Sequence, residues 1–359
     1  MKTVALTITV LLLGGSPLEL RAQQGNHPTH HLFELGDFQL EGGATLADGK
    51  VLYVTYGELN ADRSNAILLP SYYLGNHHGY GFLIGSDLAL DPARHFIIVT
   101  ELFASGGSSS PSNTPPPQAQ EDFPSVSIRD NVEATYRLVD EQFGITHLRA
   151  VIGHSMGAQQ AFQWAVTYPD FMDLIVPIAG TAKTYPHGVV RLESALTLIS
   201  GDPSITAGHD TISTAGKAAW AYHWAAWTRS TEYWRQELFR RPNVPTVEAF
   251  LERTARTFPS SRPHDFLVQG RTWQRHDVGD TSGFGGDVER ALASIRARVL
   301  YMPSETDMYF PITDAEYERR FIPNLEFLPI PTISGHMAGS GDTEADRTFI
   351  NDAIRRALR

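Results

Sequence analysis

Residues 151–170 constrain this chain more than any other stretch, because an apolar run leads directly into the sequence GHSMG and a helix-like pattern follows. Glycines on both sides of Ser155 permit a turn too tight for larger neighbours, and such a turn between a strand and a helix exposes the serine oxygen. The helix starts at about Met156, so its free N–H groups and the positive end of its dipole point toward that oxygen. The stretch therefore predicts that Ser155 is a nucleophile, although the pattern is short and its surroundings must decide.

Short apolar runs alternate with helical stretches along most of the chain. Most of these runs are continuous rather than strictly alternating, which is typical of strands covered on both faces. Between the third and fourth runs, apolar residues at positions 132, 136, 139 and 143 form one stripe of a helix. This rhythm predicts an α/β fold, a mostly parallel sheet with helices on both faces. The candidate strands are Val51–Tyr56, Ala66–Leu69, His95–Thr100, Arg149–Ile152, Leu174–Ile178, Arg298–Met302 and Leu325–Ile330.

Residues 183–285 interrupt the rhythm, because this stretch has few strand-like runs and several helical ones. We interpret it as a helical cap inserted between two parts of one core, residues 23–182 and 286–359. Within the cap, Trp220, Trp224 and Trp227 lie at helical spacing. Two interpretations stay open for these tryptophans: packing within the cap, or an aromatic wall over a substrate pocket.

The N-terminus has the pattern of an export signal. Residues 4–15 read VALTITVLLLGG, which is too short to span a membrane but has the length of a signal-peptide core. Cleavage after Ala22 would remove a signal peptide of residues 1–22 and leave a secreted or periplasmic protein; a buried N-terminal strand is the alternative. No later segment is long and apolar enough to cross a bilayer.

The net charge of −11 and the lack of basic runs argue against a nucleic-acid partner.

A serine hydroxyl is a poor nucleophile unless a histidine takes its proton and a carboxylate orients that histidine. The loop after the strand RVLYM offers Glu305 and Asp307, and the loop after LEFLPIP offers His336 between small residues. Each of these residues, taken singly, is more often a turn or surface residue. Together, however, Ser155, Asp307 and His336 stand in the chain order of a catalytic triad on an α/β-hydrolase fold.

The backbone supplies the expected oxyanion hole, formed by the N–H of Met156 and the N–H of Tyr72 or Tyr73 in the loop after an early strand. His154 is the variable residue of the tight turn, and we expect its side chain to face away from the site. The pairs His30-His31 and His77-His78 lack partners at ligand spacing, so we expect no metal site and no cofactor.

These residues, with several longer motifs, resemble the homoserine O-acetyltransferases of the α/β-hydrolase fold. The similarity runs from about Phe33 to the C-terminus. It implies Ser155 as the nucleophile, Asp307 rather than Glu305 as the acid, His336 as the base, and Tyr73 at the position of the family's oxyanion-hole leucine. The motifs that carry the resemblance are YGELNADRSNAILL, IGSDLALDPARHFIIVTE, DFPSVSIRDNV, GHSMGAQQAFQWAVTYPD, QRHDVGD and TDMYFP followed by SGHM.

The chain departs from that family where the family binds its amino-acid substrate. Leu196 stands where the family has an arginine that binds the substrate carboxylate, and Met337 stands where it has an aspartate that binds the ammonium. A pocket without these charges would desolvate a zwitterion at a cost of several kcal/mol. An exported enzyme would also rarely meet the cytosolic donor acyl-CoA.

We therefore expect an exported serine hydrolase that cleaves a small ester through an acyl-enzyme, with Leu196, Met337, Trp220 and Trp224 around the substrate. A homoserine O-acetyltransferase-like acyltransferase is the alternative, and a non-catalytic binding protein of the same fold is a third hypothesis. The oligomeric state cannot be deduced from the sequence, and a homodimer stays open.

Overall fold

A single eight-stranded sheet forms the centre of the computed structural model, which describes residues 28–359. The predicted signal peptide lies outside the described residues. Along the sheet the strands follow the order β1-β2-β4-β3-β5-β6-β7-β8; β2 runs antiparallel to both β1 and β4, and the other neighbours are parallel. The strands are β1 (His31–Gln39), β2 (Thr45–Tyr56), β3 (Ala66–Pro70), β4 (Phe96–Thr100), β5 (Ala150–His154), β6 (Leu174–Ile178), β7 (Arg298–Tyr301) and β8 (Leu325–Phe327).

The antiparallel edge of the sheet holds the strand that the sequence analysis missed. In β1 the buried residues Phe33, Leu35 and Phe38 are separated by exposed ones, because one face of this edge strand meets water. The central strands β3 to β6 are buried at every residue and stand in the sequence as continuous apolar runs. The apolar residues of β1 are spaced by polar ones and glycine, so no such run indicates this strand.

Helices cover both faces of the sheet, and each face has its own apolar core. The helix predicted from the stripe at positions 132–143 begins as α1 (Ile128–Arg137) and continues as a π-helical turn over Leu138–Gln142. Within the described residues no helix is both long enough and apolar enough to cross a membrane. The helices outside the predicted cap are α1 (Ile128–Arg137), α2 (Met156–Thr167), α9 (Val288–Ala293), α10 (Ile312–Glu318) and α11 (Glu344–Ala357).

After β6 the chain leaves the sheet and forms six α-helices over residues 186–274, a group that we call the cap; α9 follows this group before β7. Two connectors join this group to the core and run side by side. The N–H of Thr184 donates to His276 (2.8 Å), the N–H of Val278 donates to Ala182 (3.2 Å), and Lys183 pairs with Asp277 at 2.5 Å. The cap helices are α3 (Pro186–Ser200), α4 (Pro203–Thr206), α5 (Thr214–Thr228), α6 (Thr231–Arg235), α7 (Val247–Thr257) and α8 (Pro263–Gln274).

A buried carboxyl group lies beneath the first connector. Glu318 of α10 accepts hydrogen bonds from the Ala182 N–H (2.9 Å) and the Tyr301 hydroxyl (2.8 Å). Burial raises the pKa of Glu318 from 4.5 to about 8, more than these hydrogen bonds lower it. Between those two pH values the folded chain holds a proton that the unfolded chain releases, so the stability that Glu318 contributes is lost as the pH rises.

Replacing Glu318 with glutamine should remove this pH dependence, because glutamine stays neutral and its carbonyl oxygen can still accept from Ala182. Between pH 5 and pH 8 we expect the free energy of unfolding of the wild type to fall by about 2–4 kcal/mol relative to that of Glu318→Gln. Urea unfolding at both pH values measures this difference, with the exposed Glu316→Gln on the same helix as the control. Parallel stability curves for the wild type and Glu318→Gln would contradict a raised pKa.

Candidate active site

The tight turn predicted at Ser155 is formed between β5 and α2. Ser155 has φ = +56° and ψ = −122°, a backbone conformation that residues other than glycine rarely adopt. The flanking glycines allow the chain to close around it: a Cβ on Gly153 would lie 1.9 Å from the carbonyl oxygen of Gly157, and a Cβ on Gly157 would lie 2.6 Å from that of Pro70. The serine is therefore held at the carboxyl end of β5, at the start of a helix.

Three side chains distant in sequence form one hydrogen-bonded chain. Nε2 of His336 lies 3.0 Å from Oγ of Ser155, and Nδ1 of His336 lies 2.8 Å from Oδ2 of Asp307. The other oxygen of Asp307 accepts from the backbone N–H groups of Tyr309 (2.7 Å) and Phe310 (3.0 Å). Because the backbone holds one carboxylate oxygen, the other is fixed toward the imidazole.

Of the two acidic residues in the loop after β7, only one reaches the histidine. The side chain of Asp307 is fully buried beside His336, whereas Glu305 is exposed. The structure therefore brings Ser155, Asp307 and His336 together and leaves Glu305 outside the group.

The loop after β3, which carries the candidate oxyanion residues, is fixed from two helices. The Ser71 carbonyl accepts from Gln160 of α2 (2.8 Å), and the N–H of Leu74 donates to Gln269 of α8 (3.1 Å). Both Tyr72 and Tyr73 in this loop line the same cavity as Ser155. Met156 is the first residue of α2, where helix N–H groups have no partner within the helix. The assignment of the oxyanion hole to the N–H groups of Met156 and Tyr73 stays a prediction.

The serine opens into a mostly apolar cavity of about 330 Å³ between the core and the cap. One arginine, Arg229, lies in its wall, and both terminal nitrogens of this guanidinium contact Asp342 (2.5 and 3.0 Å). The charge of Arg229 is thereby balanced by the protein itself. The apolar side chains of the wall are Tyr72, Tyr73, Leu74, Trp224, Ala225, Phe250, Phe258 and Met337.

Of the four predicted substrate-binding residues, Trp224 and Met337 line this cavity. The ring of Trp224 stacks on Tyr73 with a centroid distance of 5.4 Å. Leu196 is fully buried against Gly270, because its face of α3 packs on α8. Trp220 is also fully buried and packs on Phe258 and Phe266 inside the cap. Each interpretation of the tryptophans thus applies to a different residue: Trp220 is cap core, and Trp224 is cavity wall.

His154 does not face away from the site, contrary to expectation. Its ring lines the cavity at a centroid distance of 5.1 Å from that of His336. It fits there because Gly339 has no side chain, since a Cβ on Gly339 would lie 2.5 Å from the His154 ring. Burial lowers the pKa of His154 well below its usual value, so the imidazole of His154 that borders the candidate triad is neutral.

The structure also brings His30 into contact with His77, although the sequence indicated no partner for either residue at ligand spacing. Nε2 of His30 lies 3.2 Å from Nε2 of His77, and Nδ1 of His77 lies 2.9 Å from the Glu101 carboxylate. Their separation of 47 residues hides this contact from any local motif. Within residues 28–359 no group of three or more histidine or acidic side chains could hold a metal ion.

A buried arginine of the cap was missed as well. Arg191 of α3 is 2 % exposed, and its guanidinium carbon lies 3.3 Å above the Tyr309 ring and 4.9 Å from the Trp273 ring centroid. The sequence carries a signal for it, because Arg191 falls on the buried stripe of α3 that includes Ala195 and Ile199. An arginine on an apolar stripe indicates a specific partner inside the protein.

The comparison with known families agrees with this geometry. Residues 65–339 match the family described as the alpha/beta hydrolase fold. This chain belongs to that family. The match confirms the predicted fold class and places the candidate triad of this α/β hydrolase within the shared region.

Individual relatives of this α/β hydrolase include esterases and acyltransferases. The chain is 37% identical to an ethyl acetate hydrolase of Pseudomonas veronii over 317 residues, which are 87% of this chain and 90% of that protein. It is 32% identical to a homoserine O-acetyltransferase of Symbiobacterium thermophilum over 357 residues, 89% of this chain and 91% of the other. A crystal structure of an acetylester hydrolase from Corynebacterium glutamicum has a TM-score of 0.87 at 36% identity, covering 92% of this chain and 96% of that one. The resemblance to the homoserine O-acetyltransferases is thus confirmed, with esterases among the relatives.

Proposed function

We propose that this protein is a carboxylic ester hydrolase that works through an acyl-enzyme on Ser155. The observation that carries the proposal is the hydrogen-bonded chain from Ser155 through His336 to Asp307 in the wall of a mostly apolar cavity. A nucleophile, a base and an orienting carboxylate in that geometry are what covalent acyl transfer requires.

Each residue has a definite task in the proposed reaction. Oγ of Ser155 attacks the ester carbonyl while Nε2 of His336 takes the hydroxyl proton. The N–H groups of Met156 and Tyr73 stabilise the negative charge that develops on the carbonyl oxygen. Breakdown of this intermediate expels the alcohol, which takes its proton from His336 and leaves an acyl-Ser155 ester. Water then repeats the sequence, with His336 again as base, and releases the carboxylic acid.

The proposed substrates are small neutral esters, acetyl esters first among them. Ethyl acetate and acetyl esters are what the names of two relatives specify. The apolar wall of the cavity suits a neutral ester, and its one guanidinium is already bound by Asp342. A zwitterion would therefore find apolar Met337 and a neutralised Arg229, so we expect water rather than homoserine to resolve the acyl-enzyme.

An acyl-partition experiment tests hydrolysis against acyl transfer. The protein starting at about Gln23 is given a chromogenic acetyl ester with increasing homoserine, and acetate and O-acetylhomoserine are both quantified. We expect acetate to account for nearly all the product at every homoserine concentration, with none formed above background by Ser155→Ala. O-Acetylhomoserine rising with homoserine would establish the acyltransferase instead.

A further inference from the structure

Arg191 presents a physical problem that the proposed function leaves unsolved. The guanidinium is buried, and among the described residues none of its three nitrogens has a hydrogen-bond partner. An arginine cannot lose its proton under ordinary conditions, so the charge remains inside the protein. A buried charge without a counter-charge is strongly unfavourable, and the fold must compensate it through other interactions.

Two aromatic rings provide part of the compensation. The guanidinium carbon lies 3.3 Å above the centroid of Tyr309 and 4.9 Å from that of Trp273, which are cation–π geometries. Trp273 in turn stacks on Phe310 at 5.2 Å with an interplanar angle of 16°. Arg191 and Trp273 thus hold the rings of the two residues whose backbone N–H groups bind Asp307.

The buried carboxylate of Asp307 provides the other part. The charges of Arg191 and Asp307 attract each other. The Tyr309 ring, which the guanidinium covers, lies 5.1 Å from the His336 ring, so the cation lies close to both the carboxylate and the imidazole of the candidate triad's hydrogen-bonded chain.

We propose that Arg191 is a positioning residue of the triad, a cation carried by the cap that holds the Tyr309 backbone against Asp307 and so keeps the carboxylate directed at His336. This inference rests on the proposed function. It makes the cap part of the catalytic apparatus: when α3 is seated on the core, Arg191 is over Tyr309, and when α3 is displaced the acid of the triad loses both its clamp and its nearby cation.

The test compares Arg191→Met, which keeps the length of the side chain without its charge, with Arg191→Lys, which keeps the charge without the planar group. Arg271→Met is the matched control, because Arg271 lies on the outer surface of the cap and pairs with Glu193 of α3. The hydrolysis of a neutral acetyl ester is measured from pH 5 to pH 9. Thermal unfolding and titration of Ser155 with a fluorophosphonate report the folded, active fraction.

For Arg191→Met we expect kcat to fall by about tenfold or more with KM within about twofold, since the substrate does not touch Arg191. Arg191→Lys, which keeps the cation, should have a kcat between those of the wild type and Arg191→Met at every pH. Arg271→Met should match the wild type in both kcat and KM.

Several results would overturn the proposal. An unchanged kcat in Arg191→Met, or a rise in KM alone, would make Arg191 a packing or substrate-contacting residue. If Arg191→Met does not fold, Arg191→Lys decides, and an unchanged kcat or a rise in KM alone in that variant would overturn the proposal. Failure of the proposed function is distinct, because it shows in the wild type: either there is no ester hydrolysis and no reaction with the fluorophosphonate, or the acetyl group goes to homoserine rather than to water.

Discussion

Replacing Ser155 with alanine is expected to lower kcat for an acetyl ester by about a thousandfold to a millionfold. The reason is that no acyl-enzyme can form, and only binding and oxyanion stabilisation remain to help water attack directly. Folding should be little affected, because alanine keeps the Cβ of serine and the backbone conformation of the turn. Initial rates measured with a chromogenic acetate at several enzyme concentrations check the size of the loss.

A matched control exists in the same cavity. Ser340 also lines it, but its hydroxyl donates to the Met337 carbonyl (2.8 Å). Ser340→Ala should retain activity within a few-fold and should still react with a fluorophosphonate, whereas Ser155→Ala should not gain the mass of the label. Comparable losses in both variants would indicate that the cavity, not a nucleophile, had been damaged.

Replacing Asp307 with asparagine is expected to lower kcat by about a thousandfold to ten-thousandfold, the loss typical when a triad keeps its shape but its histidine is held in the wrong tautomer. The Tyr309 and Phe310 N–H groups fix one side-chain oxygen, which turns the asparagine amide group toward Nδ1 of His336. That nitrogen must then accept a hydrogen bond, so Nε2 carries the proton and cannot take one from Ser155. Steady-state kinetics across pH 6–10 measure the effect.

The neighbouring carboxylate supplies the control for this variant. Glu305 lies in the same loop but is exposed. Glu305→Gln should keep kcat within about twofold of the wild type, because surface substitutions away from the site change little. A loss on Glu305→Gln with activity retained in Asp307→Asn would reverse the assignment of the acid.

The sequence was sufficient to predict which residues lie near one another when their positions follow from the order of strands in the sheet. In a parallel sheet, loops after neighbouring strands meet at one edge, so the loops after β5, β7 and β8 had to bring Ser155, Asp307 and His336 near one another. The choice of Asp307 over Glu305 came from the family resemblance rather than from spacing. Only the three-dimensional structure shows which of the two carboxylates faces the histidine.

Side-chain direction and helix rotation could not be predicted in the same way. Leu196 was predicted by alignment to contact the substrate, but the face of α3 that carries it packs on α8. The charged residue of α3 that lies near the triad is Arg191. The inward direction of His154 depends on the space left by Gly339, which is 185 residues away in the chain. Such contacts are decided by packing between distant elements, which no local pattern encodes.

The two connectors at residues 182–184 and 276–278 lie side by side, so nearly a hundred residues leave and rejoin the core at one narrow base. A change in the number, length or order of the helices above that base need not disturb the strands that hold the nucleophile and the acid. Evolution, or an engineer, could therefore exchange this module as a unit to reach new substrates. The exchange would succeed only if the incoming module again supplied the inward contacts on which the chemistry below depends, among them those of Gln269, Trp273 and Arg191.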